Sequence, residues 1–304
     1  MGFRQIKKKK VYIILGPTSS GKTSLTLKLC KKFNGEIISA DSRQVYKHMN
    51  IGTGKLPLGL LKLPEEIKIW GYGLVSPDKY FSGYDFALFA LAKARGLLER
   101  GKTLFVVGGT GFYIDLFTGK VRPSNKKPNL KLRLELESLN LSELCERLAS
   151  LNLKVYEKTD LKNKVRLIRA IEREVSEKNF EGLPYLKNVK FIYIGLTASR
   201  KILYSRVDKW IDTIWEDGLI DEVKKLVEMG FYSSIPLHGL VYKSVLDFMD
   251  GKLSEEKALE RAKLDLHAYV RRQQTYFKRN KNIRWFDITS DEATQNIYTL
   301  VSHE

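Results

Sequence analysis

Cysteine, histidine and proline are scarce in this chain of 304 residues, with two, four and eight copies. Cys30 and Cys145 stand far apart on stretches with helical spacing, which excludes a disulfide framework and any cysteine metal knuckle and suits a reducing cytoplasm. The histidines, at 48, 238, 267 and 303, match no metal-ligand spacing and are assigned no role. No apolar run approaches the roughly 20 residues a helix needs to cross a membrane. The start mimics a secretory leader, Lys7 to Lys10 followed by the apolar Val11 to Leu15. That run is too short for a leader core and opens onto a glycine-rich loop instead of a cleavage site, so it reads as a first strand with a basic lead-in. Acid is also short: 35 Asp and Glu against 53 Lys and Arg leave a net charge of +18. A protein docking on a polyanion gains affinity and association rate from such an excess, whereas a small-molecule kinase gains little. A lysine-rich or heat-adapted surface gives the same composition. With 43% hydrophobic and 29% charged residues the chain is globular, and its length allows two lobes.

What the chain has in full is a phosphate-binding loop. Gly16 to Thr23 read G-P-T-S-S-G-K-T, directly behind the apolar run and ahead of a helical stretch. That is G-x-x-x-x-G-K-S/T in its required setting. Backbone N–H groups of Gly16, Thr18, Ser19, Ser20 and Gly21 would turn towards phosphate oxygens, with the following helix adding its positive end. Lys22 would reach the outer phosphates, and the Thr23 hydroxyl would sit on a Mg²⁺.

Short apolar runs alternate with longer helical patterns along the chain, which predicts an α/β fold: a P-loop NTPase-like parallel sheet with helices on both faces. The strands fall at Val11–Leu15, Glu36–Ser39, Lys68–Leu74, Thr103–Val107 and Phe191–Gly195, with Ile283–Phe286 as a late edge strand. Helices are predicted at Lys22–Phe33, Tyr84–Arg100, Leu161–Val175, Arg200–Trp215, Leu219–Met229 and Glu255–Arg279. Pro-, Gly- and Asn-containing breaks at Thr118–Asn129 and Phe180–Asn188 bracket a charged segment of helical spacing. The division is therefore a core (1–118), a small helical insertion (119–188) and a completion of the core with basic C-terminal helices (189–304).

In open parallel sheets ligands sit beyond the carboxyl ends of the strands, so Asp41, just past the second strand, should share a crevice with the phosphate loop. A carboxylate there accepts a proton from a nucleophile, helps order a metal, or simply caps the turn that follows. The fourth strand ends in Val107-Gly108-Gly109-Thr110-Gly111, where glycines permit close backbone approach to a ligand or merely a tight turn. Arg166 and Arg169, three apart on one helical face, either hold a nucleic-acid backbone or solvate an exposed face.

These pieces occur in a recognisable order. G-P-T-S-S-G-K-T, I-I-S-A-D-S-R-Q-V-Y-K-H-M-N-I-G-T-G-K, V-V-G-G-T-G-F-Y, N-K-V-R-L-I-R-A-I-E, S-R-V-D-K-W with D-G-L-I-D-E-V, and V-R-R-Q-Q-T-Y-F-K-R together resemble the tRNA dimethylallyltransferase (isopentenyltransferase) family, from about Val11 to Asp287. The resemblance implies transfer of a dimethylallyl group from dimethylallyl diphosphate to the exocyclic amine of the adenosine 3′ of the anticodon. The two substrates would enter a channel from opposite ends. It also implies that the phosphate loop holds a diphosphate leaving group, with Mg²⁺ at Thr23, and that Arg206 grips the same diphosphate. Asp41 matches the family's general base and Thr110 a threonine contacting the target nucleotide. Ser42, Arg43 and Gln44 match positions that read the flipped base, and Arg166, Arg169, Arg271 and Arg272 fall on the side facing the tRNA anticodon stem-loop. The expectation is a cytoplasmic monomer with no membrane contact.

Two departures stand out, both in parts expected to touch tRNA. The family's G-Y-K is here Val241-Tyr242-Lys243, and its T-R-Q-Y-A-K-R-Q begins here with Leu266 and His267. The alternatives are a relative that prenylates free AMP, ADP or ATP, a small-molecule P-loop kinase, and a non-catalytic RNA-binding protein that uses the loop as a switch.

Overall fold

The computed structural model describes residues 8–57, 63–122, 129–176 and 182–304. The chain forms two compact units, Met1–Val121 with Pro184–Glu304, and Arg122–Leu183. Parts of both predicted breaks, 123–128 and 180–181, and Lys7 of the basic lead-in lie outside the described residues.

The first unit is built on an all-parallel sheet of β1 (Lys9–Leu15), β2 (Gly35–Ser39), β3 (Ile69–Trp70), β4 (Thr103–Gly108), β5 (Val189–Thr197) and β6 (Arg284–Asp287), ordered β3-β2-β4-β1-β5-β6. Strands covered on both faces need apolar residues at every position, and Val11 to Leu15 of β1 are all buried. β1 is central, pairing with β4 from Val11↔Leu104 to Leu15↔Gly108 and with β5 from Lys9↔Val189 to Leu15↔Gly195. On one face Tyr12 and Phe105 stack at 5.4 Å between α1 (Lys22–Phe33) and α12 (Ala293–His303), and the Tyr12 hydroxyl donates to the Val301 carbonyl at 3.1 Å. α2 (Gly83–Glu99) starts at a capping box between Ser82 and Asp85, and its Phe86 stacks on Tyr113 of α3 (Gly111–Phe117) at 4.1 Å.

Sequence spacing places the third strand at Lys68–Leu74, but only Ile69–Trp70 pair with β2. Gly71 (φ 100°) and Gly73 (φ 58°) turn left-handed and end the ladder there. The break between the predicted helices at 200–215 and 219–229 is a π turn, Trp215–Leu219, with Gly218 at φ 108°, joining α8 (Arg200–Ile214) to α9 (Ile220–Glu228). These pack with α10 (Leu240–Met249) and α11 (Glu255–Phe277) around a second apolar core that includes Val207, Ile211, Val245 and Val270.

The second unit contains α4 (Leu130–Glu137), α5 (Leu141–Leu151), α6 (Leu153–Tyr156) and α7 (Lys164–Val175). Leu136, Leu144, Leu148, Leu167, Ile168 and Ile171 form its core. The buried Glu172 accepts hydrogen bonds from the Asn129 N–H and from the Arg133 and Arg169 guanidinium groups. Among the described residues no helix is long and apolar enough to cross a membrane.

The ends of β2 and β4 interlock. Ala40 N–H donates to the Val107 carbonyl at 2.7 Å, and Thr110 N–H to the Ala40 carbonyl at 3.2 Å. A Cβ at Gly108 would lie 2.1 Å from the Ala40 carbonyl oxygen, a backbone atom that cannot swing away. Gly108→Ala is therefore expected to destabilise the protein by about 1–3 kcal/mol through overpacking. Thermal unfolding checks this, and an unchanged melting temperature would mean that the strand ends separate freely.

Candidate functional site

Beyond the carboxyl ends of β1, β2 and β4 lies a cleft of about 690 Å³. Thr18, Ser19, Gly21, Lys22 and Thr23 line it from the phosphate loop, Asp41 and Gln44 from the end of β2, and Gly108 and Gly109 from the end of β4. Leu56, Val107, Trp210 and Ile214 add an apolar wall, and Asp217 a second carboxylate. Sequence reasoning put the phosphate loop and Asp41 in one crevice, and the fold brings them together.

The loop is shaped for an anion. Gly16 takes φ 148°, and a Cβ there would sit 2.3 Å from the Leu196 carbonyl oxygen. Gly21 caps α1 in the left-handed region at φ 76° with no side-chain cap, and the first turn of α1 carries no acid. Helix N-terminal N–H groups uncapped by a side chain, together with the helix dipole, favour a bound anion. Lys22 donates to the Pro17 carbonyl at 2.6 Å, and burial lowers its pKa to about 8 although Asp41 opposes the shift. Ser20 is fully buried, and its hydroxyl has no hydrogen-bond partner among the described residues.

Asp41 Oδ1 accepts the Arg43 N–H at 2.8 Å, an Asx turn that fixes the carboxylate while it faces the cleft. Capping and cleft lining thus coexist in one residue. Thr110 Oγ1 accepts the Ser42 N–H at 3.0 Å and donates to the Ser42 Oγ at 3.3 Å. Gln44 accepts from Ser39 Oγ at 2.6 Å and donates to the Thr53 and Gly54 carbonyls at 3.0 and 3.3 Å, holding that turn against β2. Arg43 reaches the Pro236 carbonyl at 3.3 Å.

Other predicted residues lie elsewhere. Arg206 is exposed and lines a separate cavity of about 190 Å³ with Ser20, Gly21 and Ser24, not the main cleft. Arg166 pairs with Asp160 at 3.1 Å and Arg169 with Glu172 at 3.1 Å, both in the second unit. Arg271 donates to the Tyr204 hydroxyl at 3.1 Å, and the Arg272 guanidinium lies 5.7 Å from the Tyr269 ring centre.

The expectation that the sequence departures touch RNA is corrected for two of them. Val241 and Leu266 are buried in the α8–α11 core, where added methylenes fill space between helices. His267 is half-buried, stacked on Tyr204 at 4.0 Å and bonded to Asp208 at 2.7 Å, so it is part of a local side-chain network.

Sequence reasoning missed Glu222. This buried carboxylate accepts N–H groups of Asn50, Ile51 and Gly52 at 2.8, 2.7 and 3.2 Å, and the Tyr242 hydroxyl at 2.7 Å. It fixes the turn that carries Thr53, Gly54 and Leu56 into the cleft. Lys55, also buried, donates to the Tyr46 carbonyl and to Asn50, and burial lowers its pKa to about 8 against the pull of Glu222 and Asp41. The sequence signal was present in G-T-G-K and D-G-L-I-D-E-V, but spacing alone does not reveal a carboxylate buried against another segment's backbone.

Comparison with known proteins places this geometry. The family model described as IPP transferase matches residues 44–280, and that described as isopentenyl transferase matches residues 9–62. A tRNA dimethylallyltransferase of Acetivibrio thermocellus is 38% identical over 94% of each chain. A crystal structure of a tRNA isopentenylpyrophosphate transferase from Bacillus halodurans superposes with a TM-score of 0.71 at 32% identity, covering 97% of this chain and 96% of that one. A eukaryotic dimethylallyltransferase captured acting on tRNA has a TM-score of 0.77 at 24% identity over 97% of this chain and 79% of its own, a likeness of fold.

Lys22 makes anion binding pH-dependent with a definite sign. Its ammonium is charged below about pH 8 and neutral above, so an anion that needs the charge binds with proton uptake at higher pH. Affinity for inorganic diphosphate, relative to a Lys22→Met variant, is expected to fall by about ten-fold per pH unit above 8. Calorimetry across that range measures it, and the variant corrects for titration of diphosphate itself. A constant ratio would remove Lys22 from the site.

Proposed function

The chain belongs to the tRNA dimethylallyltransferase family, and from that premise we propose that it transfers a dimethylallyl group from dimethylallyl diphosphate to the exocyclic amine of the adenosine 3′ of the anticodon in tRNA. The carrying observation is one cleft that combines a phosphate loop, a fixed carboxylate and an apolar wall. A kinase uses the first two, but a prenyl donor uses all three. Its diphosphate would rest on the loop amides and Lys22, and its five-carbon tail against Leu56, Val107, Trp210 and Ile214.

The donor set fits Mg²⁺. Thr23 and Asp41 present hard oxygens to the cleft, while no group of three or more His, Cys, Asp or Glu among the described residues could hold a cation alone. Mg²⁺ commonly keeps several waters and completes its shell with one or two carboxylates and substrate phosphates. Thr23 would hold it, with Asp41 near, and when bound the ion neutralises diphosphate charge.

Chemistry then follows from the side chains. The adenine amine attacks the allylic carbon, the carbon–oxygen bond breaks, and its electron pair leaves with diphosphate. Lys22 and the loop N–H groups meet the charge that develops there, the usual large electrostatic contribution. Asp41, oriented by the Arg43 N–H, takes the amine proton. Thr110 and Ser42, hydrogen-bonded to each other, would contact the target nucleotide beside it. A base in a stacked loop reaches this cleft only when flipped out, and Arg43 and Gln44 would read it there. Arg206 would approach the diphosphate from the Ser20–Ser24 side of the loop. The exposed Arg271 and Arg272 on α11, with Arg166 and Arg169 on α7, would hold tRNA phosphates, which a free nucleotide substrate would not require.

The test offers labelled dimethylallyl diphosphate and Mg²⁺ with two acceptors in parallel, unmodified tRNA and free AMP, ADP or ATP. Label on tRNA alone is expected; label only on the free nucleotide, or on neither, overturns the proposal. Asp41→Asn should cut turnover by about 10²–10⁴ while leaving diphosphate affinity nearly intact. Near-normal turnover in that variant would make Asp41 structural.

A further inference from the structure

Gln273 has no part in the reading above. It sits among the basic residues of α11, next to the exposed Arg272, yet is only 4% exposed. Its Oε1 accepts the Thr18 N–H at 2.8 Å, and its Nε2 donates to the Gly109 carbonyl at 3.2 Å. Thr18 belongs to the phosphate loop, and Gly109 immediately precedes Thr110. One planar amide therefore ties the loop on which the donor's diphosphate would rest to the turn facing the acceptor.

The chemistry of the amide fits the task. One neighbour demands an acceptor and the other a donor. A carboxylate offers acceptors only, lysine and arginine donors only, and asparagine is one methylene shorter. Glycine at 109 leaves room for the contact, since a Cβ there would lie 2.1 Å from Nε2. One turn further on, the Tyr276 hydroxyl donates to Asp115 Oδ2 of α3 at 2.6 Å, and a Cβ at Gly111 would meet the Tyr276 ring at 2.2 Å. The helix is thus seated on the β4–α3 turn, and Gln273 extends that seat to the phosphate loop.

We propose that Gln273 is a positioning residue that fixes the phosphate loop in register with the Gly109–Thr110 turn, so that α11 holds the donor and acceptor sites as one unit. It does not line the cleft and touches no reacting atom. The role rests on the proposed function for its turnover readout, but not for its binding readout.

Two variants separate positioning from bulk stability. Gln273→Met keeps length and volume and removes both hydrogen bonds. It is expected to weaken inorganic diphosphate binding by about ten-fold and to lower kcat with KM for tRNA unchanged. Gln273→Glu supplies both a donor and an acceptor when protonated, but acceptors only when ionised. Its diphosphate affinity relative to wild type should rise as pH is lowered from about 8 to about 5.5, while the Gln273→Met ratio stays flat. Lys22 and Asp41, which line the cleft beside these loops, are common to all three proteins and cancel in the ratio. Lower melting temperatures with unchanged diphosphate affinity and kcat, or a flat Gln273→Glu ratio, would overturn the proposal. In the unsubstituted full chain, the Thr18 amide should exchange its hydrogen slowly by NMR, and fast exchange would also overturn it. Absence of transfer by wild type sinks the proposed function while leaving the diphosphate and exchange readouts to decide the role of Gln273.

Discussion

Parallel pairing of β1 with β4, Leu15 opposite Gly108, and of β2 with β4, Ser39 opposite Val107, brings three strand ends to one level. The phosphate-loop, Asp41 and Gly109 groups of the cleft hang from those ends or from the turns after them, and α8 with its π turn adds Trp210, Ile214 and Asp217. The phosphate loop leaves β1, Asp41 and Gln44 follow β2, and Gly109 and Thr110 follow β4. Adjacent parallel strands lie about 4.8 Å apart, so their terminal loops are within reach of a single ligand with no further device. The close approach of Ala40 to Gly108 tightens this level to the point where a methyl group does not fit. The cleft is thus a consequence of strand register, and the helices above it refine a position already set.

Burial then decides the electrostatics. Lys22 and Lys55 are both brought down to about 8, although Asp41 near the first, and Glu222 with Asp41 near the second, favour the charge. Desolvation outweighs those attractions at both sites, and at Lys22, which lines the cleft, it marks a place where a cation is poorly solvated. An anion entering there replaces missing water and meets charge that is already held in place. Glu222 works in the opposite sense. Four hydrogen bonds from three backbone N–H groups and Tyr242 satisfy a buried carboxylate, and the turn it gathers forms part of the cleft wall.

Local features were legible in the sequence and long-range ones were not. The phosphate loop, the central strands and α1 follow from patterns within a dozen residues, and α1 runs over the predicted Lys22–Phe33. Asp41 was legible because topology alone puts strand ends together. β3 came out shorter because left-handed glycines override the β propensity of the residues around them. The helices Gly111–Phe117, Leu240–Met249 and Ala293–His303 were not foreseen, since short or mixed apolar runs carry no clear period. Gln273 and Glu222 act on segments more than 160 residues away in the chain, and no spacing rule links a side chain to a distant backbone. Val241 and Leu266 were expected near tRNA because they fall in motifs that the resemblance places there; burial makes them packing residues.

The basic surface poses the remaining physical question, because several of the arginines assigned to tRNA already have partners. Arg166 and Asp160 form an ion pair whose side chains are 64% and 44% exposed. Such exposed pairs are worth about 0–1 kcal/mol, with the charges still largely hydrated. A phosphate that displaces Asp160 therefore loses little, and the counterions released from RNA add a gain the intramolecular pair cannot match. Arg169 is a different case, since its partner Glu172 is buried and also bonded to Arg133 and to the Asn129 N–H. Its guanidinium is held in place, and a phosphate would have to approach it where it stands. By the same measure Arg271, hydrogen-bonded to a neutral tyrosine hydroxyl, keeps its full charge for a partner. Under the proposed reading the arginines therefore differ within each unit: in the second, Arg166 can reorient and Arg169 is fixed, and in the first, Arg271 is oriented without being neutralised.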